Sequence, residues 1–417
     1  MKKLTFVFAL IALSYSSQIY AGLASADFNY MNDLIGDRAT GLGGAYVAIS
    51  DDPAGAYYNP AGLAFAFDNQ ISLSVNTYKV KELVYEKALY NENYNQTINS
   101  FYPSFFGVVQ SIGSAKLAIV FINSNNEILD QDDAYKNITI SQTGGDITAN
   151  TYVNYNNTDN TFLFGLSTGF FVNKKFTMGF SLFALNRRRE QIFNQVNEIV
   201  DPGGCGTCTA GDLYVTNIYR TDDFWGLLSK VGVQFMPFKK LSFGLTIGAG
   251  GILSHKNETQ TMQNGAISSS SGDVSGSAIP TEIRAGVAYF PSNKLLLTAD
   301  VIGHFGTTNY DTSALNTYNF AIGTEYYIID ILPVRFGLFT NFANTAEIDK
   351  SKTRQDMHVD MYGASTSISV QSRNSSITLS GFYQYGEGES QIGTDTTATE
   401  NVVIHMYQIS LTGTAKY

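Results

Sequence analysis

The chain has 417 residues, a formal net charge of −10 and only 15% charged residues. The acidic balance argues against nucleic acid as a partner, because phosphate backbones are bound by clustered Lys and Arg. The charged fraction is low for a soluble protein, yet beyond the first residues no apolar stretch approaches the roughly 20 residues of a transmembrane helix. A membrane protein that crosses the bilayer with alternating strands reconciles these observations. A large secreted β-protein is the alternative.

The N-terminus has the pattern of a secretion signal. Lys2 and Lys3 precede a short apolar run, Leu4–Leu13, and small residues follow it. Cleavage is predicted after Ala21 or after Ala26, so residues 1–26 are assigned to a signal peptide. Export together with many alternating strands predicts a location in the bacterial outer membrane.

The next segment, Asp27–Asp68, is rich in Gly and Ala and is predicted to form a plug, or hatch, inside the barrel. Small residues let backbones approach closely, as a crowded lumen requires. Gly43 and Gly44 belong to a cluster that superficially suggests a nucleotide-binding loop. The cluster lacks a preceding strand of a βαβ unit and a following Lys-Ser/Thr, so that interpretation is rejected. Asn59-Pro60 indicates a turn.

From residue 69 to 417 the chain shows the period-two alternation of strands. In Lys175–Arg187 the alternate residues are apolar and those between them are small or polar, as a wall between lipid and lumen requires. The apolar set is Phe176, Met178, Phe180, Leu182 and Ala184. Repetition of this pattern predicts a closed antiparallel transmembrane β-barrel of about 14 strands with both ends in the periplasm.

The connections between these strands alternate in length, which assigns the two sides of the membrane. Tight turns are predicted near Gly113, Asn173, Phe238, Ser292, Asp330 and Arg373. Long polar stretches are predicted as extracellular loops at Asn123–Asn160, Arg188–Asp212, Lys256–Gly276, Ala343–Gln355 and Gly386–Asn401. Outer-membrane barrels have short periplasmic turns and longer extracellular loops.

The hatch segment resembles the FadL family of outer-membrane transporters. The resemblance rests on Gly36-x-Arg38-Ala39-x-x-Leu42-Gly43-Gly44-Ala45, on Asp51-Asp52, and on Asn59-Pro60-Ala61-Gly62-Leu63-Ala64, with Asn59, Pro60 and Ala61 matching the hatch motif. It covers about a tenth of the chain and implies a fourteen-stranded barrel plugged by its N-terminus. It also implies passage of long-chain fatty acids or other hydrophobic small molecules. Related barrels in protein secretion or surface attachment carry a similar string, so a secretion or surface-assembly partner stays an alternative, as does a general porin.

The resemblance further implies sideways release into the membrane at a kinked third strand. The predicted third strand, Lys116–Ile122, contains no Pro or Gly to mark a kink. Both of its faces are apolar, with Val120 and Ile122 on the inner one. An apolar patch there suits either a hydrophobic ligand or packing against the hatch, and Phe183 is expected beside the same pocket.

Charged residues on the small-residue faces form opposable pairs. Counting from the turns places Arg284 opposite Asp300, and Glu325 opposite Arg335. Such pairs stabilise wall and register, and this structural interpretation is favoured. The alternative is that Arg284, Arg335 or Lys230 binds a ligand carboxylate by a charge-assisted hydrogen bond.

The remaining features predict no chemistry. Cys205 and Cys208 lie in a predicted extracellular loop, where a disulfide is favoured over a redox or metal motif. The four His are scattered, so no catalytic residue, cofactor or metal is predicted, and the chain is not expected to be an enzyme. The terminal Tyr417 resembles the aromatic residue read by barrel-assembly machinery. The Arg187–Arg189 run suits a solvated strand end or, alternatively, outer-membrane lipid and lipopolysaccharide phosphates.

Overall fold

The computed structural model describes residues 29–67, 69–89, 92–140, 146–203, 205, 208–274, 278–306, 315–353, 355–391 and 398–417. The predicted signal peptide, residues 1–26, lies outside them. Among the described residues, no helix is long and apolar enough to cross a bilayer.

The described residues form three short helices followed by a run of strands. In chain order these are α1 (Asp37–Gly41), α2 (Gly55–Tyr58), a 3-10 helix (Pro60–Phe65), β1 (Asn69–Leu89), β2 (Glu92–Ile112), β3 (Ala115–Ile140), β4 (Ile147–Asn173), β5 (Phe176–Asp201), β6 (Leu213–Phe238), β7 (Leu241–Gln263), β8 (Ala266–Val274), β9 (Ala278–Ser292), β10 (Leu295–Phe305), β11 (Thr317–Ile329), β12 (Leu332–Asn341), β13 (His358–Gln371), β14 (Ser375–Ser390) and β15 (Glu400–Lys416).

All neighbouring strands pair antiparallel and the sheet closes on itself. The first and last strands, β1 and β15, pair from Gln70 with Lys416 onward, which joins the two ends of the wall. Strands β8 and β9 both pair with β7. Strand β8 pairs with residues 255–263 of β7, and β9 pairs with residues 241–251, so the two strands together occupy one position in the wall. The wall therefore has fourteen positions, and the predicted barrel is confirmed.

Strand β5 shows how the alternation separates lipid from lumen. Met178, Phe180 and Leu182 point outward and are 36–44% exposed, while Thr177 and Ser181 point inward and are fully buried. The predicted assignment of the two faces is correct here. The closed wall satisfies the backbone hydrogen-bonding groups that lipid cannot.

Tight turns lie at or next to the six predicted positions, for example at Gly113-Ser114 and Lys174-Lys175. Three of the predicted long loops are wrong, however, because most of their residues belong to strands. Strands β3 to β6 each span 26 or 27 residues, whereas crossing a bilayer takes about 9–11. The wall thus continues well beyond the membrane as polar hairpins.

Strand β4 shows why the polar hairpins are stable beyond the membrane. Beyond the membrane its inward residues Val153 and Tyr155 stay buried, while outward Asn154 and Asn156 meet solvent. Near the outer end Ile138, Ala149 and Ile199 form a small separate core. Cys205 and Cys208, joined by a disulfide, lie against it.

Candidate functional site

Glycines of the wall face the hatch where it crosses the lumen. Gly179 of β5 and Gly232 of β6 are register partners. A Cβ at Gly179 would lie 2.2 Å from the Pro60 carbonyl carbon, and one at Gly232 would lie 2.0 Å from Asn59 Oδ1. Hatch backbone makes similarly close approaches at four more positions. We call the six the glycine belt: Gly169, Gly179, Gly232, Gly244, Gly323 and Gly337.

The residues of the hatch motif help to hold the hatch against the wall. Asn59 Nδ2 donates to the carbonyl oxygens of Val47 (2.8 Å) and of Val233 in β6 (3.1 Å), and Asn59 Oδ1 accepts from the Ala61 amide. Pro60 begins the 3-10 helix. Gly43 and Gly44 have φ values of 67° and 82°, a region that side-chain-bearing residues rarely adopt. The motif therefore shapes the hatch and ties it to the wall.

Glu325 of β11 also anchors the hatch to the wall. It lies opposite Arg335 in the register, and Arg335 Nε donates to its Oε2 at 2.5 Å. The hatch residue Arg38 donates two hydrogen bonds to the same carboxylate, at 2.8 and 2.9 Å. Two guanidinium groups thus share one buried acid, which assigns Arg335 to hatch anchoring.

Replacing Glu325 with glutamine should destabilise the protein. The change leaves Arg335 without its carboxylate and leaves Arg38 with Asp51 alone, and removing one partner of a buried pair typically costs about 3–5 kcal/mol. The free energy of unfolding in detergent, measured by denaturant titration, checks this. The matched control is Glu389→Gln, whose partner Lys350 is 69% exposed and whose loss should cost about 0–1 kcal/mol. Equal effects in the two variants would contradict the anchor.

The predicted Arg284–Asp300 pair is wrong. The turn lies at Asn293-Lys294, with Ser292 opposite Leu295, and one irregularity follows between Leu295 and Leu297. The resulting register differs by two residues from the predicted one, so that Arg284 lies opposite Ile302 and Asp300 opposite Gly286. Asp300 instead accepts hydrogen bonds from the amides of Tyr46 and Val47 in the hatch, at 2.7 and 2.9 Å. It is a third anchor for the hatch.

Arg284 belongs to a buried cluster around Glu282, which we call the cation site. Glu282 accepts hydrogen bonds from Lys230 Nζ at 2.7 Å and from Arg284 Nη2 at 2.8 Å, and His304 Nε2 lies 3.3 Å from it. Lys230 and Arg284 thus share one carboxylate, so that these three side chains carry one more positive than negative charge when all are ionised. Among the described residues, Arg284 Nε and His304 Nδ1 have no hydrogen-bond partner.

The hatch contributes an aromatic face to the cation site. Lys230 Nζ lies 4.2 Å from the centroid of the Tyr57 ring, and the Arg284 guanidinium lies 5.7 Å from it. Burial raises the pKa of the Tyr57 hydroxyl to about 12, so this side chain stays neutral at physiological pH. Its ring attracts the two cations through the negative face of the aromatic system.

A large apolar cluster lies inside the barrel, between the halves of the strands that are farther from the short turns. We call it the lumen cluster; representative wall members are Leu83, Phe193, Phe339, Met361, Val402 and Met406. Two hatch residues, Met31 and Leu34, belong to it as well. Ile302, the register partner of Arg284, is also a member, so the lumen cluster adjoins the cation site.

Three of the predicted ligand contacts lie outside the lumen cluster, namely Val120, Ile122 and Phe183. All three are buried and point inward, but they belong to a second cluster with the hatch residues Ile35 and Leu42. The apolar inner face of β3 therefore packs against the hatch, which was one of the two interpretations that the sequence left open.

The wall separates between β2 and β3. Among the described residues, their pairing covers only Phe105–Ile112 with Ala115–Ile122, whereas β3 pairs with β4 along nearly its whole length. We call the separated stretch, Glu92–Ser104 of β2 and Asn123–Ile140 of β3, the seam. Side chains bridge it, since Ser100 Oγ donates to the Asn126 carbonyl at 2.8 Å.

Two irregularities explain the seam. Pro103 lies in β2 just before the pairing with β3 begins, and proline provides no N–H for a ladder. In β3 a register shift between Asn123 and Asn125 bends the strand. Neither irregularity was predicted, because both lie outside Lys116–Ile122, the segment in which a kink was expected. A proline inside an alternating segment was the available signal.

Two predicted surface features stay predictions. The Arg188 side chain is 67% exposed, whereas Arg187 and Arg189 pair with the buried Asp159. A lipopolysaccharide contact would therefore use Arg188. Tyr417, the residue suggested for barrel assembly, is exposed at the end of the chain.

Solved structures with the same architecture are described as a FadL homologue, a toluene transporter and a monoaromatic hydrocarbon channel. A Pseudomonas aeruginosa FadL homologue is 14% identical, with a TM-score of 0.63 over 93% of this chain and 99% of its own. The Ralstonia pickettii toluene transporter TbuX is 13% identical, with a TM-score of 0.60 over 93% and 100%. The CymD monoaromatic hydrocarbon channel is 13% identical, with a TM-score of 0.59 over 92% and 98%.

No protein-family model matches the sequence, and no curated protein matches it. The similarity to solved structures is thus one of fold at low identity. At the level of fold the predicted resemblance is confirmed: the chain is a plugged fourteen-stranded barrel whose fold is similar to that of the FadL homologue.

Proposed function

We propose that the protein is an outer-membrane channel that binds hydrophobic compounds in its lumen and passes them to the membrane, with long-chain fatty acids as the expected cargo. The observation that carries the proposal is the lumen cluster, an apolar zone inside a barrel. A water-filled porin has a polar lumen instead. The structural neighbours described as toluene and hydrocarbon channels support a hydrophobic cargo of some kind.

The cation site favours an acidic amphiphile over a neutral hydrocarbon. A fatty acid would place its chain in the lumen cluster and its carboxylate beside Lys230 and Arg284. Charge-assisted hydrogen bonds in a low-dielectric site are strong, and Arg284 Nε and His304 Nδ1 have no partner among the described residues. Toluene would provide no acceptor for these groups. We therefore rank fatty acids above aromatic hydrocarbons.

Replacing Lys230 with methionine should lower oleate uptake and spare toluene uptake. Loss of one charge-assisted hydrogen bond, worth about 1.5–3 kcal/mol, corresponds to a decrease in oleate affinity of roughly tenfold or more. Radiolabelled oleate and toluene uptake are compared in cells that lack the protein and carry each variant. Lys116→Met, which removes a wall lysine outside the cation site, serves as control. A parallel loss of both substrates would contradict a head-group role.

Release is proposed to pass through the seam. The register partner of Asn123 on β4 is Phe162. Phe162 is the first of the apolar side chains that point outward from β4, followed by Phe164 and Leu166. An opening between β2 and β3 at this level connects the lumen with the outer leaflet. The hatch, held by the glycine belt and by Glu325 and Asp300, closes the path to the periplasm below.

A partner role in secretion or surface assembly is the second candidate. It is favoured by the tall hairpins of β3 to β6, which extend well beyond what transport across a bilayer requires. Comparison of surface proteins in cells with and without the chain tests it. Unchanged surface proteins together with lost oleate uptake would support the channel alone.

A further inference from the structure

The outward faces of β5 and β6 change from apolar to charged where the lipid-facing residues end. On β5 the outward side chains of Phe180 and Leu182 are exposed, and the first charged outward residue beyond them is Arg188. On β6 the outward Trp225 is exposed as well, and the next outward residue is Asp223. Tryptophan is enriched where a membrane protein meets the lipid headgroups. The charged residues therefore lie directly above the hydrocarbon layer.

Two cations in this position project away from the barrel. Arg188 of β5 is the register partner of Asp223 of β6, and Asp223 is in turn the register partner of Lys256 of β7. The Arg188 side chain is 67% exposed, and Lys256 is exposed too. Neighbouring strands are about 4.8 Å apart, so that Arg188 and Lys256, which we call the basic pair, can both reach one ligand.

The acids beside the basic pair leave its N–H donors accessible. Asp223 accepts a hydrogen bond from Asn186 Nδ2 at 3.1 Å. Arg188 Nη2 lies 3.8 Å from Glu190 Oε2, which is too far for a hydrogen bond. Exposed ion pairs of this kind contribute little to stability. The guanidinium group can therefore turn to an anionic ligand at small cost.

Farther from the membrane the same outward face carries a row of amides. Asn154 Nδ2 of β4 donates to Asp132 Oδ1 of β3 at 2.7 Å, and Asn194 Nδ2 of β5 donates to Asn154 Oδ1 at 3.0 Å. We call these three side chains the amide row. Asn194 lies six residues beyond Arg188 on β5, which is about 20 Å along a strand. Amide and carboxylate groups provide donors and acceptors for sugar hydroxyls.

We propose that this outward face of β3 to β7 binds lipopolysaccharide of the outer leaflet. The basic pair binds phosphate groups through charge-assisted hydrogen bonds, and the amide row binds sugar hydroxyls farther out. The face continues the lipid-facing wall without a break, and its order of cations and then amides matches that of lipopolysaccharide, in which phosphates adjoin the acyl chains and sugars follow. Lipopolysaccharide thus gives the tall hairpins of β3 to β6 a surface to pack against.

Binding of purified lipopolysaccharide to the full-length protein in phosphatidylcholine nanodiscs tests the proposal. We expect Arg188→Gln combined with Lys256→Gln to lower the affinity about tenfold and to make binding less sensitive to salt, because fewer charges are paired. The matched control combines Lys350→Gln with Lys352→Gln, whose side chains are 69% and 70% exposed in the β12–β13 connection, and should bind as the unmodified protein does. An unchanged affinity without the basic pair, or an equal loss in the control, overturns the proposal.

Trimmed lipopolysaccharides separate the two contacts. Enzymatically dephosphorylated lipopolysaccharide should bind the unmodified protein as weakly as the intact molecule binds the variant without the basic pair; undiminished binding overturns the assignment of phosphate. Asn194→Ala should weaken binding of lipopolysaccharide with a complete core and spare a form truncated next to lipid A, and equal effects on both overturn the assignment of sugars. Heat-modifiable gel mobility shows that each variant is folded. The face lies outside the lumen, so every variant should retain oleate uptake.

Discussion

Replacing Gly179 with leucine should turn the closed barrel into a conducting pore. Even the Cβ of that residue would lie 2.2 Å from the Pro60 carbonyl carbon and 2.4 Å from the Ala61 amide nitrogen. The strand cannot yield easily, because β5 is paired along both edges in a closed wall. Overpacking typically costs about 1–3 kcal/mol, so we expect the hatch to leave its seat. Conductance in planar bilayers and entry of a bulky hydrophilic antibiotic measure the effect.

The control for this experiment is another glycine of the same barrel. Gly413 of β15 has no atom within 4 Å of an added Cβ, so Gly413→Leu should leave the hatch seated and the conductance low. Gly232→Leu, on the neighbouring strand of the glycine belt, should behave like Gly179→Leu. A folded Gly179→Leu barrel with the conductance of the unmodified protein would show that the belt does not seat the hatch.

Closing the seam with a covalent bond should abolish oleate uptake. The Ser100 hydroxyl already donates to the Asn126 carbonyl at 2.8 Å, so cysteines at these two positions lie close enough to be tested for a bond across the separated strands. Under oxidising conditions uptake should fall to the level of cells that lack the protein, and mild reduction should restore it. The physical reason is that a lateral exit requires β2 and β3 to part.

A second cysteine pair serves as the matched control. Val108 and Ile119 are register partners below the seam, where the strands are already joined, so a bond there should not alter uptake. The single-cysteine variants account for effects of the substitutions and of oxidant on the native disulfide. Full uptake by the oxidised Ser100–Asn126 pair would place the exit elsewhere, with passage past the hatch as the alternative.

The sequence predicted the features that depend on neighbouring residues. Period-two alternation located the wall, because side chains of a strand point to opposite faces in turn. The outward Phe180 and inward Ser181 of β5 follow it. Turn residues located the short connections. The prediction of three long loops failed because polarity was taken as a sign of irregular structure, although alternation at Tyr152-Val153 continued beyond the membrane.

Residues that act across strands were harder to predict. The predicted Arg284–Asp300 pairing was wrong by two residues, because the turn lies at Asn293-Lys294 instead of Pro291–Asn293 and an irregularity follows it. Arg335 appeared as a possible ligand contact, but its position beside Glu325 and Arg38 is a property of the folded hatch. Asp33 of the hatch carried no signal at all, because Lys79 and Tyr102, which donate hydrogen bonds to it, lie on two different strands.

The sequence by itself therefore determined a plugged barrel of about fourteen strands, since alternation, turns and small residues are local properties of the chain. Only the tertiary structure decided the register, the seam, the cation site and the lumen cluster. Each of these depends on which residues of distant strands lie side by side, and a single irregularity such as that near Pro103 changes those neighbours.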